Sequence, residues 1–269
     1  MSRKIPAPDP WPAPAPGPNR TGGAVWHARA LTAHWRWQPT RDAIAHWLAS
    51  LRFGSDQLVL VGASAGWMMS RAFLARFRAV TAIDIDPLAR PLFALRHGLA
   101  LRAGGARVRW ESLDALARLD ELLVRHPEAA VLFDNVLGQQ IYRSLDPERI
   151  EKALAGLAAR LHGREWASIH DWLSGPAAPT EPSAILLAQP QRVRLEGGAV
   201  SEAGRVLSWD ALAESALARL DAHGEWQDHR TAVVFPNGTE IRLIPWEFRP
   251  GKWHWLQAGY VAGGAPPLS

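Results

Sequence analysis

The chain has 269 residues, room for one large α/β domain with additions, and its 48% hydrophobic and 21% charged residues contain no run of 18 apolar positions that would span a membrane. It has no cysteine, which excludes disulfides, thiolate zinc sites and a cysteine nucleophile, and its ten histidines show no metal-binding spacing, so no metal is expected. The net charge of +4 is spread without a Lys/Arg block and gives nucleic-acid binding only weak support.

From Pro6 to Pro18 every even position is proline, which favours solvated polyproline II; residues 1–20 read as a disordered tail, with a ligand for SH3-type domains as its functional alternative. This N-terminus lacks the apolar stretch of a secretory signal, so a cytoplasmic protein is expected. Residues 21–54 read as a helical extension, with Ile44, Trp47, Leu48 and Leu51 on one face and Gly54 as its stop.

Leu58–Val61 is a wholly apolar run of the kind found inside a parallel sheet. Helical periodicity from Trp67 to Phe77 and a second strand at Ala79–Ile83 complete a βαβ unit. Asp86, Pro87 and Gly98 read as cap, first turn and stop of the next helix. The alternation continues through a strand at Val108–Trp110, a helix over 115–125, a strand at Ala129–Phe133, a helix capped by Asp146 and a strand at Trp166–Ile169. Residues 174–200 read as loop. Ser208 caps a helix to Ala222, Asn237-Gly238 predicts a hairpin between 231–235 and 240–244, and Trp253–Val261 is a last strand. There are no internal repeats. The expected fold is a Rossmann-like three-layer α/β sandwich, mostly parallel, with an antiparallel C-terminal edge. Residues 55–172 form its core, and 173–269 complete the sheet and shape a substrate site.

The segment Val61-Gly62-Ala63-Ser64-Ala65-Gly66 joins a buried strand to a helix, and Asp84 ends the next strand within Ile83-Asp84-Ile85-Asp86-Pro87. This resembles the class I S-adenosylmethionine-dependent methyltransferase family over residues 55–172. The resemblance implies a cofactor, S-adenosylmethionine, held by Gly62, Ala63, Ser64, Ala65, Gly66, Asp84 and Ile85, with Asp84 accepting hydrogen bonds from the ribose hydroxyls. Two positions depart from the family pattern: Ser64 stands at the middle glycine, and Leu60 at an often acidic position. Ser64 either bonds the cofactor or caps the following helix.

Asp114 falls where the family often places an acid or amide near the adenine. Asp134 and Asn135 follow the fourth strand and by resemblance line the junction of cofactor and substrate; the alternative for Asp134 is a turn or cap residue. His170 closes the fifth strand and is a candidate base beside Asp134, or else a histidine satisfied at a strand end. Trp26, Trp35, Trp37 and Trp47, then Trp166 and Trp172, then Trp246, Trp253 and Trp255 cluster as pocket walls or as packing.

The expected activity is methyl transfer to a small-molecule or protein acceptor that the sequence does not identify. One rival is an α/β-hydrolase: Gly62-Ala63-Ser64-Ala65-Gly66 also fits G-x-S-x-G, with Ser64 as nucleophile and Asp134 and His170 as partners. That fold needs several strands before the turn, and the sequence supplies a proline-rich tail and a helix. A nicotinamide dehydrogenase would need glycine where Ser64 and Trp67 stand. A methyltransferase-like domain acting as a non-catalytic binding protein is a further alternative.

Overall fold

In the computed structural model, which describes Trp11 and residues 23–144, 146–181, 183–188 and 191–264, the apolar runs pair into one sheet. Its strands are β1 (Gln57–Val61), β2 (Ala79–Ile83), β3 (Arg107–Glu111), β4 (Ala130–Asp134), β5 (Trp166–Pro176), β6 (Gln191–Glu196), β7 (Ala199–Glu202), β8 (Arg205–Leu207), β9 (Gln227–Asp228), β10 (Glu240–Arg249) and β11 (Lys252–Val261). The order is β3-β2-β1-β4-β5-β11-β10-β6-β7-β8, with β9 beside β5. Strands β1 to β5 run parallel. All other pairs are antiparallel. This is the Rossmann-like α/β sandwich expected, and its antiparallel C-terminal edge extends through β11, β10, β6, β7 and β8 as a wing. The chain reverses direction across the sheet between β1 and β4, and such a switch point opens a crevice at the strand ends.

Two helical layers cover the sheet. Along β1, Val59 and Val61 face one core with Leu119, Leu122 and Leu154, and Leu58 and Leu60 face the other with Trp37, Ile44 and Leu48. Burying each such side chain contributes about 1.5–3 kcal/mol, so the sandwich rests on both faces. Helices α1 (Ala24–Thr32) and α2 (His34–Ser50) form much of the second layer. Trp37 Nε1 donates to the Phe248 carbonyl and Thr40 Oγ1 to the Pro245 carbonyl, both at 3.0 Å, tying α2 to β10.

Several local expectations change. The tail reading fails at Trp11, which is 7% exposed and donates from Nε1 to Gln140 Oε1 at 3.1 Å; residues 1–10 and 12–22 lie outside the described residues. The helix expected over 67–77 shrinks to Arg71–Leu74, because Ser70 caps it late by accepting from Phe73 N–H. Gly98 does not stop its helix: the chain continues as a π turn over Ala94–Gly98 and as α-helix to Ala103. Strand β5 runs on to Pro176, and the stretch read as loop holds the helix Ser183–Ala188 with β6 and β7. The hairpin at Asn237-Gly238 does not form between 231–235 and 240–244. Thr231 Oγ1 instead donates to the Asp171 carbonyl, and β10 pairs with β6 and β11. Asp146 and Ser208 cap their helices as expected, accepting from Arg149 and Ala211 N–H.

Candidate functional site

The β1 turn is built for close approach. Gly62 has φ +74°, and a Cβ there would lie 2.7 Å from the Asp134 carbonyl, so only glycine lets β1 and β4 end side by side. The amides of Gly62 and Ala63 both donate to the Ile83 carbonyl at 3.0 Å. Ser64 follows with φ +46° and Asn135 at the end of β4 has φ +55°; both are left-handed positions that a non-glycine residue holds at some expense. Gly66, with φ +64°, packs against His97 and serves the fold rather than the crevice.

At the switch point these strand ends line a crevice of about 980 Å³, counted out to solvent. Gly62, Ser64, Asp84, Ile85, Asp114, Asp134 and Asn135 all line it. Of the other turn residues expected to hold the cofactor, Ala63 and Ala65 are fully buried beneath the turn. They and Gly66 are supports, not walls.

Asp84 is fixed by its neighbours. Its Oδ2 accepts from Ser64 N–H at 2.7 Å and its Oδ1 from Asp86 N–H at 2.8 Å. Burial, with Asp86 nearby, raises its pKa despite these bonds. Asp134 is pushed up to about 8 by burial first and by the Asp84 charge second. No hydrogen-bond donor reaches its carboxyl among the described residues. Asp114 accepts from Arg143 at 2.5 Å. Burial pushes Asp114 up, but the Arg143 bond and charge outweigh it and hold the group low.

His170 is not at the crevice. Ile169 lines it, so His170, one residue on, faces the other layer, where it stacks on Phe235 at 5.4 Å. Its ring bonds Ser168 Oγ at 2.7 Å and Gln257 Oε1 at 3.1 Å, and burial pushes its pKa down to about 4. It is the satisfied core histidine, not a base for Asp134 or Ser64. Ser64 Oγ instead accepts from Trp26 Nε1 at 3.0 Å. The hydrolase arrangement of Ser64, Asp134 and His170 is therefore absent.

Helix α1 closes one side of the crevice. Asp86 Oδ2 accepts from Gly23 N–H at 2.6 Å and from His27 Nε2 at 3.1 Å, and Trp67 Nε1 donates to His27 Nδ1 at 3.0 Å. Because the indole can only donate, His27 carries its proton on Nε2. The tryptophan clusters divide accordingly: Trp26 and Trp246 wall the crevice, Trp37, Trp47, Trp166, Trp172, Trp253 and Trp255 are buried packing, and Trp35 is 84% exposed.

Beside Asn135 lies a buried polar group that sequence reasoning missed. The Asn135 amide accepts from Asp171 N–H at 2.9 Å and donates to Asp171 Oδ2 at 3.1 Å. His254 Nδ1 donates to Asp171 Oδ1 at 2.8 Å. Burial pushes Asp171 up, but the His254 charge and bond, with His229 and Asn135, reverse this and hold it at about 2. His229 bonds the Gly138 carbonyl at 2.6 Å and Ser174 Oγ at 3.0 Å. His254 Nε2 and Trp246 Nε1 are buried without a partner among the described residues. Each such orphan costs about 1–3 kcal/mol unless a ligand satisfies it. The one local signal was the Trp253-His254-Trp255 triplet.

Among the described residues no three His, Asp or Glu side chains gather as a metal site, and no helix is long and apolar enough to cross a membrane. No family model and no curated protein matches the chain. Solved structures similar to it include magnesium protoporphyrin IX methyltransferase from Synechocystis PCC 6803 with bound SAH, at 15% identity over 88% of each chain and a TM-score of 0.42. A S-adenosylmethionine-dependent methyltransferase from Clostridium acetobutylicum ATCC 824 is 10% identical over 90% of this chain and 100% of its own, with a TM-score of 0.38. One from Thiobacillus denitrificans, in complex with S-adenosyl-L-homocysteine, is 17% identical over 62% of each chain, with a TM-score of 0.38. At these scores the likenesses carry no argument, and the Rossmann-like fold stands on the strand order itself.

Proposed function

We propose that this chain is an S-adenosylmethionine-dependent methyltransferase with its cofactor in the β1–β4 crevice. The observation that carries the reading is Asp84, a carboxylate at the end of β2, facing the crevice and clamped by the Ser64 amide of the glycine-rich turn. Both its oxygens keep a lone pair free for ribose hydroxyls. Asp134 adds a second argument. It is a buried carboxyl without a hydrogen-bond donor among the described residues, held neutral near pH 7 beside another acid, and a cationic ligand in the crevice favours its ionised form.

The bound cofactor would supply an electrophilic sulfonium methyl to the lone pair of an acceptor. The protein's own part is positioning and exclusion of water. Gly62 keeps the floor of the crevice close, Asp84 and Ser64 fix one end, and Trp26 on α1 covers it. Asp114 lines the crevice beside Leu113, and its carboxylate, bonded to Arg143, keeps lone pairs that suit an adenine amino group. The acceptor is a small molecule or a protein segment.

Thermal unfolding tests the reading. S-adenosylhomocysteine at a hundred times its Kd should stabilise the protein by about 2.7 kcal/mol. NAD should leave the midpoint unchanged. A shift with NAD alone, or hydrolysis of 4-nitrophenyl acetate abolished by Ser64→Ala, would contradict it.

A further inference from the structure

Trp246 and His254 are directly opposed on β10 and β11, which places both side chains on one face of the sheet. Their ring centroids are 5.2 Å apart. Each carries a buried polar atom with no partner among the described residues: the indole N–H of Trp246, a donor, and Nε2 of His254. The state of Nε2 follows from the other ring nitrogen. Nδ1 lies 2.8 Å from a carboxylate oxygen that can only accept, so Nδ1 holds the proton, and in the neutral ring Nε2 is a free lone pair.

An unpaired donor and an unpaired acceptor lie on these two neighbouring rings, and the surroundings are aromatic. Phe248 packs 4.9 Å from His254, and Trp26 and Trp37 stack on Phe248 at 6.1 and 6.0 Å. Trp246 and Trp26 line the crevice. A hydroxyl on a flat, apolar ring meets these demands: it donates to Nε2, accepts from the indole N–H and leaves its ring against Trp26 and Trp246.

Resting on the methyltransferase reading, we propose that Trp246 and His254 bind the acceptor, that the acceptor is a phenol-like aromatic alcohol, and that His254 is the base that takes its proton. The hydroxyl proton moves to His254 Nε2, and the O–H bonding pair stays on oxygen and forms the bond to the methyl carbon. The pair that held the methyl remains on the cofactor's sulfur, and the imidazolium later releases its proton to water. An amine acceptor attacks with the lone pair of its neutral form and has no need of a base before transfer, whereas a neutral hydroxyl is a poor nucleophile. Asp171 is a positioning residue: its carboxylate fixes the His254 tautomer and steadies the imidazolium, and Asn135 joins it to the crevice. Among the other titratable groups around this pair, His229 stands 6.3 Å from the His254 ring and interacts with it directly as well as with Asp171, whereas Tyr142 and Lys252 feel the Asp171 charge.

The test uses 4-nitrophenol, whose phenolate absorbs visible light, with the full chain at a pH where the free probe is mostly neutral. The wild-type protein should bind the probe and convert it to phenolate. His254→Gln should bind it as the neutral phenol. Asp171→Asn, which keeps the side-chain shape, should lower the bound phenolate-to-phenol ratio about tenfold or more, because the imidazolium loses the carboxylate that accepts from its Nδ1. The wild-type arm needs no variant to fold: no binding, or binding without ionisation, overturns the proposal, as does equal ionisation in His254→Gln. Titration of the same samples with S-adenosylhomocysteine separates the two readings. If it binds and the probe stays neutral, the proposal alone falls; if it fails to bind while the probe ionises at His254, the aromatic hydroxyl site stands and the methyltransferase reading falls.

Discussion

The indole N–H of Trp26 reaches Ser64 Oγ at 3.0 Å, tying helix α1 to a turn residue whose backbone is itself left-handed. The contact joins a crevice wall to the crevice floor. Trp26→Phe keeps the ring and drops the donor, and one hydrogen bond of this kind is worth about 1 kcal/mol. The midpoint of thermal unfolding should fall by about 2–4 °C. An unchanged midpoint would mean that α1 is not clasped to the turn.

Asp134 gives the stability a distinctive pH dependence. With its pKa raised from 3.8 to about 8, the folded chain keeps a proton that the unfolded chain has released, so this stabilisation is complete below about pH 4 and lost as pH rises through 8. His97 and His170 act in the opposite sense. Burial holds both at about 4, so their contribution is present above pH 6.5 and lost as pH falls toward 4. From pH 6.5 to 8 the buried histidines, His229 among them, still gain a little stability, so Asp134 is read as the difference between wild type and Asp134→Asn. Denaturant titrations from pH 6.5 to 8 should show wild-type stability falling by about 1.5 kcal/mol relative to Asp134→Asn.

His170 should prove structural. His170→Gln disturbs the bonds to Ser168 and Gln257 and leaves the crevice untouched. Its stability should drop by about 1–3 kcal/mol, while its affinity for S-adenosylhomocysteine stays within about twofold of wild type. Loss of affinity with stability intact would return His170 to the candidate site.

The parts of this site that were legible in the sequence are those built by contiguous residues. A buried strand, a turn with Gly62 and Gly66 and an acid at the next strand end set one another's geometry locally, so Asp84 and Asp134 could be picked out without knowing the rest of the sheet. Trp26, His27 and His254 could not. Their partners lie 38, 59 and 83 residues away in sequence, and nothing local fixes which strand or helix comes to rest there. His170 failed for a different reason. At the end of β5 the face a side chain takes alternates residue by residue, and β11 pairs with β5 through a register shift between Trp255 and Leu256. Sequence patterning identified the strand but could not decide that Asp171, and not His170, turns toward Asn135. Within the C-terminal wing Trp253–Val261 is legible as a strand, but residues 174–200 read as loop, because β7 is only 4 residues long, too short to show an alternation.

The most direct test of the cofactor site is calorimetric titration of the wild-type chain and Asp84→Asn with S-adenosylhomocysteine. The substitution keeps the shape of the side chain at the Ser64 amide but removes the charge that strengthens bonds to ribose hydroxyls, each worth about 1.5–3 kcal/mol. If Asp84 anchors the ribose, the wild-type chain has one site and Asp84→Asn binds at least about tenfold more weakly. No binding to the wild type, or equal binding to both, would contradict it.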